Sequence, residues 1–229
     1  MNSIADKIDK IIELFPERRW YRPLTPFERL VSTILSQNTS REATIQGFEN
    51  LRKRFQVLPE VLAEAKVEEI KECIRPSGLY NIKAPRIKQL ARIILEEYGG
   101  DLNYLANLPL DAARERLLQI PGVGYKTADV FLSIVCGRES FAVDTHIGRI
   151  ARRWKMVADN AGYEQIRLAY EAVIPPDKRQ AAHLCLIEFG RQICRARRPR
   201  CDVCPVYGEC EWVGKSGYEG GWPSCFSQS

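Results

Sequence analysis

Apolar residues return along this chain at the spacing of a helix and hardly ever at that of a strand. Ile4, Ile8, Ile11, Ile12 and Phe15 form one stripe, and Ile87, Leu90, Ala91, Ile94, Leu95 and Tyr98 form another. Side chains three and four residues apart meet on one helical face, so each stripe predicts a helix with one buried side. Thr25-Pro26-Phe27-Glu28 is a start signal. It combines a capping threonine, a proline at the first helical position and a glutamate that completes a capping box. Period-two alternation bounded by turns is missing, so the chain is expected to be all-α. No internal repeat is visible, and no apolar run approaches the roughly 18 residues of a membrane span.

Within that helical frame, Leu118 to Asp129 reads Leu-Gln-Ile-Pro-Gly-Val-Gly-Tyr-Lys-Thr-Ala-Asp. Pro121 ends one helix, and Gly122 and Gly124 let the backbone bend tightly with N–H groups directed outward at the start of the next. Backbone amides at a helix N-terminus hold phosphate by hydrogen bonding and by the helix dipole together, whatever base lies behind it. A glycine turn can also do no more than join two helices. Lys126 falls in the first turn of the helix opening at about Tyr125, where the dipole disfavours a cation. That effect, with partial burial, would enrich the neutral amine that attacks carbon. The plain alternative is a solvated lysine.

Asp144 follows the apolar run Phe141-Ala142-Val143 and precedes Thr145-His146-Ile147, so it is placed to cap a further helix. A carboxylate fixed at a helix start has a defined direction, and could activate an amine or stabilise a cationic sugar. His146 reads as a supporting or buried residue in preference to a catalytic one.

The chain has eight cysteines. Cys194, Cys201, Cys204 and Cys210 are spaced Cys-x6-Cys-x2-Cys-x5-Cys, which implies a metal centre. Disulfides compete with that reading, but there is no secretory apolar segment, and a cysteine-rich loop in an otherwise cysteine-poor chain usually binds metal. The expected setting is a reducing compartment, and not secretion. Zinc and iron–sulfur clusters both accept four thiolates, and the ligand set alone does not separate them. Arg195, Arg197, Arg198 and Arg200 lie between the first two of these cysteines. Guanidiniums on a metal-pinned loop suit phosphate binding, although a charge run can be an ordinary solvated face. Cys73, Cys136 and Cys185 sit in apolar helical stretches and are expected in the core. The net charge of +5 is modest, so affinity for an anionic polymer would rest on such local clusters and not on overall basicity.

The hairpin and cysteine signatures together resemble the endonuclease III family of DNA base-excision enzymes, within the helix-hairpin-helix glycosylase superfamily. The motif residues are Gly122 to Ala128, Val143 to His146, the four-cysteine spacing and Ser77-Gly78-Leu79-Tyr80-Asn81-Ile82-Lys83-Ala84. The likeness covers residues 5 to 211. It implies a bifunctional DNA N-glycosylase and AP lyase with Lys126 as catalytic nucleophile, Asp144 as the aspartate that activates it, and a 4Fe–4S cluster on Cys194, Cys201, Cys204 and Cys210. In the family the lysine amine attacks C1′, expels the damaged base as a Schiff base forms, and β-elimination cuts the strand 3′ to the abasic sugar. The target base must leave the stack first. Leu79 matches the family's intercalating wedge, and Gln37 resembles the glutamine that enters the vacated space. Gly122, Gly124 and the four arginines are the further expected DNA contacts.

The resemblance also implies two helical lobes flanking a DNA-binding cleft. A six-helix barrel with the helix-hairpin-helix would span residues 21–135, and a cluster lobe would combine residues 1–20 with 136–211. Residues 212–229 form a glycine-rich tail without a family motif, which Trp212 and Trp222 could anchor. The partner implied is double-stranded DNA carrying a damaged base or abasic site, met by a monomer in the cytoplasm and nucleoid, or in a nucleus, with no membrane. One departure bears on the substrate. Many family members carry an aspartate near the position of Ser40, so the lesion pocket can differ. Lys126 favours oxidised pyrimidines over the alternatives, a thymine or uracil mismatch glycosylase or a non-catalytic helix-hairpin-helix binding protein.

Overall fold

The structure is a computed structural model that describes residues 3–15 and 24–215. Its described residues form eleven α-helices and no strand. They are α1 (Ile4–Leu14), α2 (Pro26–Ser36), α3 (Arg41–Arg54), α4 (Pro59–Glu64), α5 (Val67–Ile74), α6 (Tyr80–Tyr98), α7 (Leu110–Gln119), α8 (Tyr125–Ile134), α9 (Thr145–Arg153), α10 (Tyr163–Glu171) and α11 (Arg179–Gln192). The chain divides into two compact units. One holds described residues 24–138, and the other combines 3–15 with 139–215.

The 24–138 unit contains α2 to α8. The start signal works as read: Thr25 accepts the Glu28 N–H at 3.2 Å, and Glu28 Oε2 accepts the Thr25 N–H at 2.9 Å. Leu30, Val31, Ile34 and Leu35 of α2 are buried with Ile70 and Ile74 of α5 and with Ile87, Leu90, Ala91 and Ile94 of α6. Each fully buried Leu or Ile contributes about 2 kcal/mol. α2 also packs on α3 and α8, and α7 packs on α8, which carries the Gly122 turn to the neighbourhood of the α2 C-terminus.

In the other unit α1 packs on α11, and α9 packs on both α10 and α11. Ile8, Ile11 and Phe15 from the first stripe are buried with Ile147, Ile150, Tyr170, Leu186 and Phe189. Cys185 is buried and its thiol donates to the Phe15 carbonyl at 2.7 Å. Cys73 is half-buried within α5, but Cys136 sits two residues beyond the end of α8 and not in a helix. The apolar run around it had suggested a longer helix, and Gly137 at φ 60° marks where the chain turns out. Trp212 packs against the Arg153 guanidinium at 3.9 Å. Residues 216–229, including Trp222 and Cys225, lie outside the described residues. No helix among the described residues is long and apolar enough to cross a membrane.

Candidate functional site

α7 ends at Gln119, and Val123 N–H returns to the Ile120 carbonyl at 3.0 Å, closing the turn. Gly122 has φ 87°, a left-handed conformation that disfavours any side chain. Gly124 differs from the expectation of a second bent glycine. It caps α8 with φ −94° and ψ 177°, extended backbone open to any residue, and a Cβ there would meet nothing within 4 Å. The fold therefore does not require a glycine at 124. The N–H groups that open α8 have no helical acceptor, and both glycines are exposed.

Lys126 is exposed in the first turn of α8. The expected partial burial is not provided by the protein, because the side chain leaves the exposed face of the turn. Beside it, Tyr125 is 48 % exposed and lies 5.1 Å from the Arg114 guanidinium. Arg114 in turn forms a two-pronged pair with the fully buried Asp129, at 2.8 and 3.1 Å. Asp129 cannot be left without that cation at small cost, so this pair fixes the opening of α8 to α7.

Two further tips belong to the same unit. Gln37 Nε2 donates to the Gly122 carbonyl at 3.3 Å, bringing the glutamine to the hairpin. Leu79 is 50 % exposed at the mouth of α6. Both tips have left-handed backbone: Asn38 at φ 52°, which an asparagine tolerates, and Leu79 at φ 48°, which costs a leucine roughly 1–2 kcal/mol. Lys83, on the first turns of α6, has 1 % of its surface exposed. Its ammonium donates to the Leu35 carbonyl at 2.7 Å, the Thr39 hydroxyl at 2.8 Å and the Ser77 carbonyl at 2.8 Å. Burial pushes the Lys83 pKa down. Motif reading quoted Lys83 without giving it a role. The available signal was a lysine on the buried face that continues through Ala84, Ile87 and Leu90.

Asp144 stands in the other unit and caps α9 as expected, its Oδ1 accepting the Ile147 N–H at 2.8 Å. The segment before it is held by side chains. Phe141 N–H donates to Glu171, Val143 N–H donates to the Tyr163 hydroxyl, and the Ala142 carbonyl lies 2.9 Å from His183 Nδ1. Asp144 is half-buried and keeps a second carboxylate oxygen for other work. His146 is also half-buried. Arg149 Nη2 reaches its Nδ1 at 3.0 Å, and since guanidinium only donates, Nδ1 accepts and the proton sits on Nε2. Burial is the main cause that lowers the His146 pKa. A Cβ at Gly190 would come within 2.7 Å of His146.

Arg149 also donates to the carbonyls of Gly190 and Cys194, each at 2.9 Å. Arg153 donates to Cys194 Sγ at 3.2 Å and to the Arg195 and Ala196 carbonyls at 2.8 and 3.3 Å. Neither arginine was singled out in the sequence; only their spacing on α9 hinted at a shared face. Lys215 Nζ donates to the Cys210 carbonyl at 2.7 Å. Cys201 and Cys204 are buried, and Cys194 and Cys210 half-buried. Burial pushes the Cys204 thiol up to about 12 and the Cys194 thiol upward, and the charges of neighbouring cysteines add to both. Such a set becomes thiolate only around a cation. The four sulfurs do not close on a single-ion site among the described residues. Arg195, Arg197 and Arg198 are exposed and Arg200 is half-buried.

Residues 31–176 match the family model of the HhH-GPD superfamily of base excision DNA repair proteins. The chain is 35 % identical over 214 residues to endonuclease III of Thermotoga maritima, covering 93 % of this chain and 95 % of the relative. Two solved structures, a non-covalent endonuclease III–DNA complex and a trapped endonuclease III–DNA covalent intermediate with an estranged adenine, each superpose with a TM-score of 0.81 at 28 % identity. They cover 92 % of this chain and 96 % and 97 % of theirs. The chain belongs to the helix-hairpin-helix superfamily of base-excision DNA repair proteins. Within it, the chain is an endonuclease III-family enzyme, a DNA glycosylase/AP lyase.

Proposed function

We propose that this enzyme removes damaged pyrimidines, chiefly oxidised ones, from double-stranded DNA and cuts the strand on the 3′ side of the abasic site. The observation that carries the reading is Lys126, an exposed amine in the first turn of the helix opened by the glycine turn. The N–H groups at Gly122 and Gly124 would grip a phosphate, which brings the neighbouring sugar to the lysine. Base extrusion is supported by the exposed Leu79, suited to wedging between base steps, and by Gln37, suited to meeting the orphaned partner. DNA laid over Lys126 would supply the desolvation that the protein alone does not.

The Lys126 amine, with its proton passed toward Asp144, attacks C1′. The C1′–N bond breaks, its electron pair leaves with the base, and the base takes up a proton. The nitrogen lone pair then expels O4′, which takes up a proton as the sugar ring opens, and the resulting iminium acidifies C2′. Loss of a C2′ proton then breaks the C3′–O bond and releases the 3′ phosphate, and water later frees the lysine. An oxocarbenium-like sugar would also gain from a carboxylate such as Asp144. The trapped covalent relative supports this route for a chain of this family.

Cys194, Cys201, Cys204 and Cys210 would hold a 4Fe–4S cluster, in keeping with their spacing and with the burial of Cys201 and Cys204. The bound cluster supplies a rigid cross-link. The residues from Arg195 to Arg200 would then present guanidiniums to phosphates. We further propose that the protein works as a monomer in the compartment that holds the DNA.

Incubation with a thymine glycol duplex, an abasic duplex and a thymine–guanine mismatch under borohydride tests the reading. Covalent trapping is expected on the glycol and abasic duplexes. Release of mismatched thymine with no adduct anywhere would instead assign a monofunctional mismatch glycosylase. Binding without base release or adduct would leave a non-catalytic DNA-binding protein.

A further inference from the structure

The Gln37 and Leu79 tips are 42 residues apart in sequence, yet one buried ammonium ends both of the segments that carry them. α2 closes at Ser36, so the Leu35 carbonyl belongs to its last turn, where carbonyls lack helical partners. Ser77 closes the 3₁₀ turn Arg75–Ser77, whose last carbonyl is likewise open. A cation at such ends is favoured by the dipole of each turn. Lys83 takes both carbonyls with two of its three donors and gives the third to Thr39. The Thr39 hydroxyl bonds the Ser77 carbonyl and, at 3.2 Å, the Gln37 carbonyl. No carboxylate pairs with Lys83 among the described residues, and its charge is met entirely by these oxygens.

The strain lies immediately beside these contacts. Asn38 separates Gln37 from Thr39, and Leu79 follows Ser77 and the left-handed Gly78. Left-handed residues other than glycine persist only where their surroundings over-determine them. Here the surroundings are shared, because the same ammonium fixes the chain on the far side of each strained residue. A side-chain amide also ties the first tip to the hairpin, through the Gly122 carbonyl.

We propose that Lys83 is a positioning residue that holds the Gln37 and Leu79 tips together, as one preformed unit, in the geometry with which they enter DNA. It touches neither the reacting sugar nor the phosphate. Its contribution is to make insertion of wedge and plug a single event, with the ordering done before DNA arrives. The inference rests on the assignment of Gln37 and Leu79 as the inserting residues.

The test follows extrusion by the fluorescence of 2-aminopurine placed opposite or beside a thymine glycol, together with single-turnover base release. Lys83→Met keeps the aliphatic volume and removes the donors. Thr39→Val removes the shared hydroxyl, and Thr39→Ser restores it. Lys83→Met and Thr39→Val should slow extrusion and base release on the paired lesion, by up to about 10²-fold for a misplacement near 1 Å. Thr39→Ser should recover most of it. The loss should shrink on the same lesion opposite a missing base, where no orphan has to be met, and trapping on that substrate should remain. Leu79→Ala and Gln37→Ala are run alongside.

Wild-type extrusion by Thr39→Val and by any folded Lys83→Met, while Leu79→Ala and Gln37→Ala fail, would overturn the Lys83 role alone. Equal losses on paired and unpaired lesions would do the same, since they indicate general loosening of the unit. If Leu79→Ala and Gln37→Ala extrude like wild type, the tip assignment falls and this inference falls with it.

Discussion

In the 24–138 unit the groups that face outward stand on short main-chain tips above a continuous apolar core, with Leu30, Ile34, Ile87 and Leu90 close beneath them. In the other unit the cysteines and the four arginines stand on residues 193–215, whose only regular element is the 3₁₀ turn Cys201–Val203. That stretch is tied down by the side chains of Arg149, Arg153 and Lys215 reaching its carbonyls. The first arrangement is stable without a ligand and can be strained locally, as at Asn38 and Leu79. The second gathers buried thiols and cationic side chains, and under the proposed reading a bound cluster would complete it. Rigid presentation is thus reached once through packing and once through charge.

Removing chemistry from each unit in turn should separate these modes, and the largest effect belongs to Lys126. Lys126→Ala is expected to lose borohydride trapping and cleavage of abasic DNA by about 10³-fold or more, with thermal stability and DNA affinity close to wild type because the side chain is exposed. Normal nicking by that variant would exclude it as nucleophile. Asp144→Asn and Asp144→Ala should both lose base release. Only the alanine variant should also lose about 1 kcal/mol of stability, since asparagine still caps α9; equal melting of the two would break the division between cap and chemistry.

Cys204→Ser should strip iron and sulfide from the purified protein and lower the stability of the 139–215 region by several kcal/mol, leaving hydrogen exchange in α2, α6 and α8 unchanged. Zinc in place of iron and sulfide in the wild-type protein would overturn the cluster assignment. Glycine substitutions probe the hairpin more finely. Gly122→Ala forces a side chain to φ 87° and should cost about 1 kcal/mol of folding stability. Gly124→Ala should cost nothing in stability, since a Cβ there meets nothing within 4 Å, and yet weaken binding to abasic DNA if a phosphate is held at this turn as proposed.

The smallest effect is a pH dependence. The His146 pKa is lowered by burial, so the neutral form is the folded one. Its stabilisation is complete above about 6.5, the ordinary value, and is lost as pH falls through the lower folded value. Between about pH 7 and about pH 5, wild-type melting should therefore fall more steeply than that of His146→Gln. Parallel curves would show that burial of His146 does not set the pH dependence.

Sequence and structure agree best where one local segment fixes the outcome. The capping box at Thr25, the cap at Asp144 and the helix start before Lys126 each depend on residues within a single turn. What stayed hidden depends on contacts between distant segments. The spacing of the four cysteines announced a shared site, but not that Arg153 would donate to the first sulfur. Lys83 sits in a quoted motif, yet its partners come from α2 and from the Ser77 turn, and nothing in a heptad of neighbours foretells them. The exposure of Lys126 and the extended backbone of Gly124 escape the sequence for a related reason. A motif names the residues at a site without saying which part of their environment the protein supplies and which part arrives with the ligand.

The Asp144 unit is built from both sides of the other one, α1 packing on α11 across an interval of sequence that forms its own compact unit. On the ribosome, residues 24–138 emerge whole and can condense while α1 still waits for its partner. The Lys126 hairpin could therefore fold while the segment that carries Asp144 is still in the tunnel, and the cysteine loop would emerge after α11. A chain that stopped between the two stages would carry the Lys126 hairpin without Asp144 and the four cysteines, which under the proposed mechanism is an amine without the carboxylate it works with.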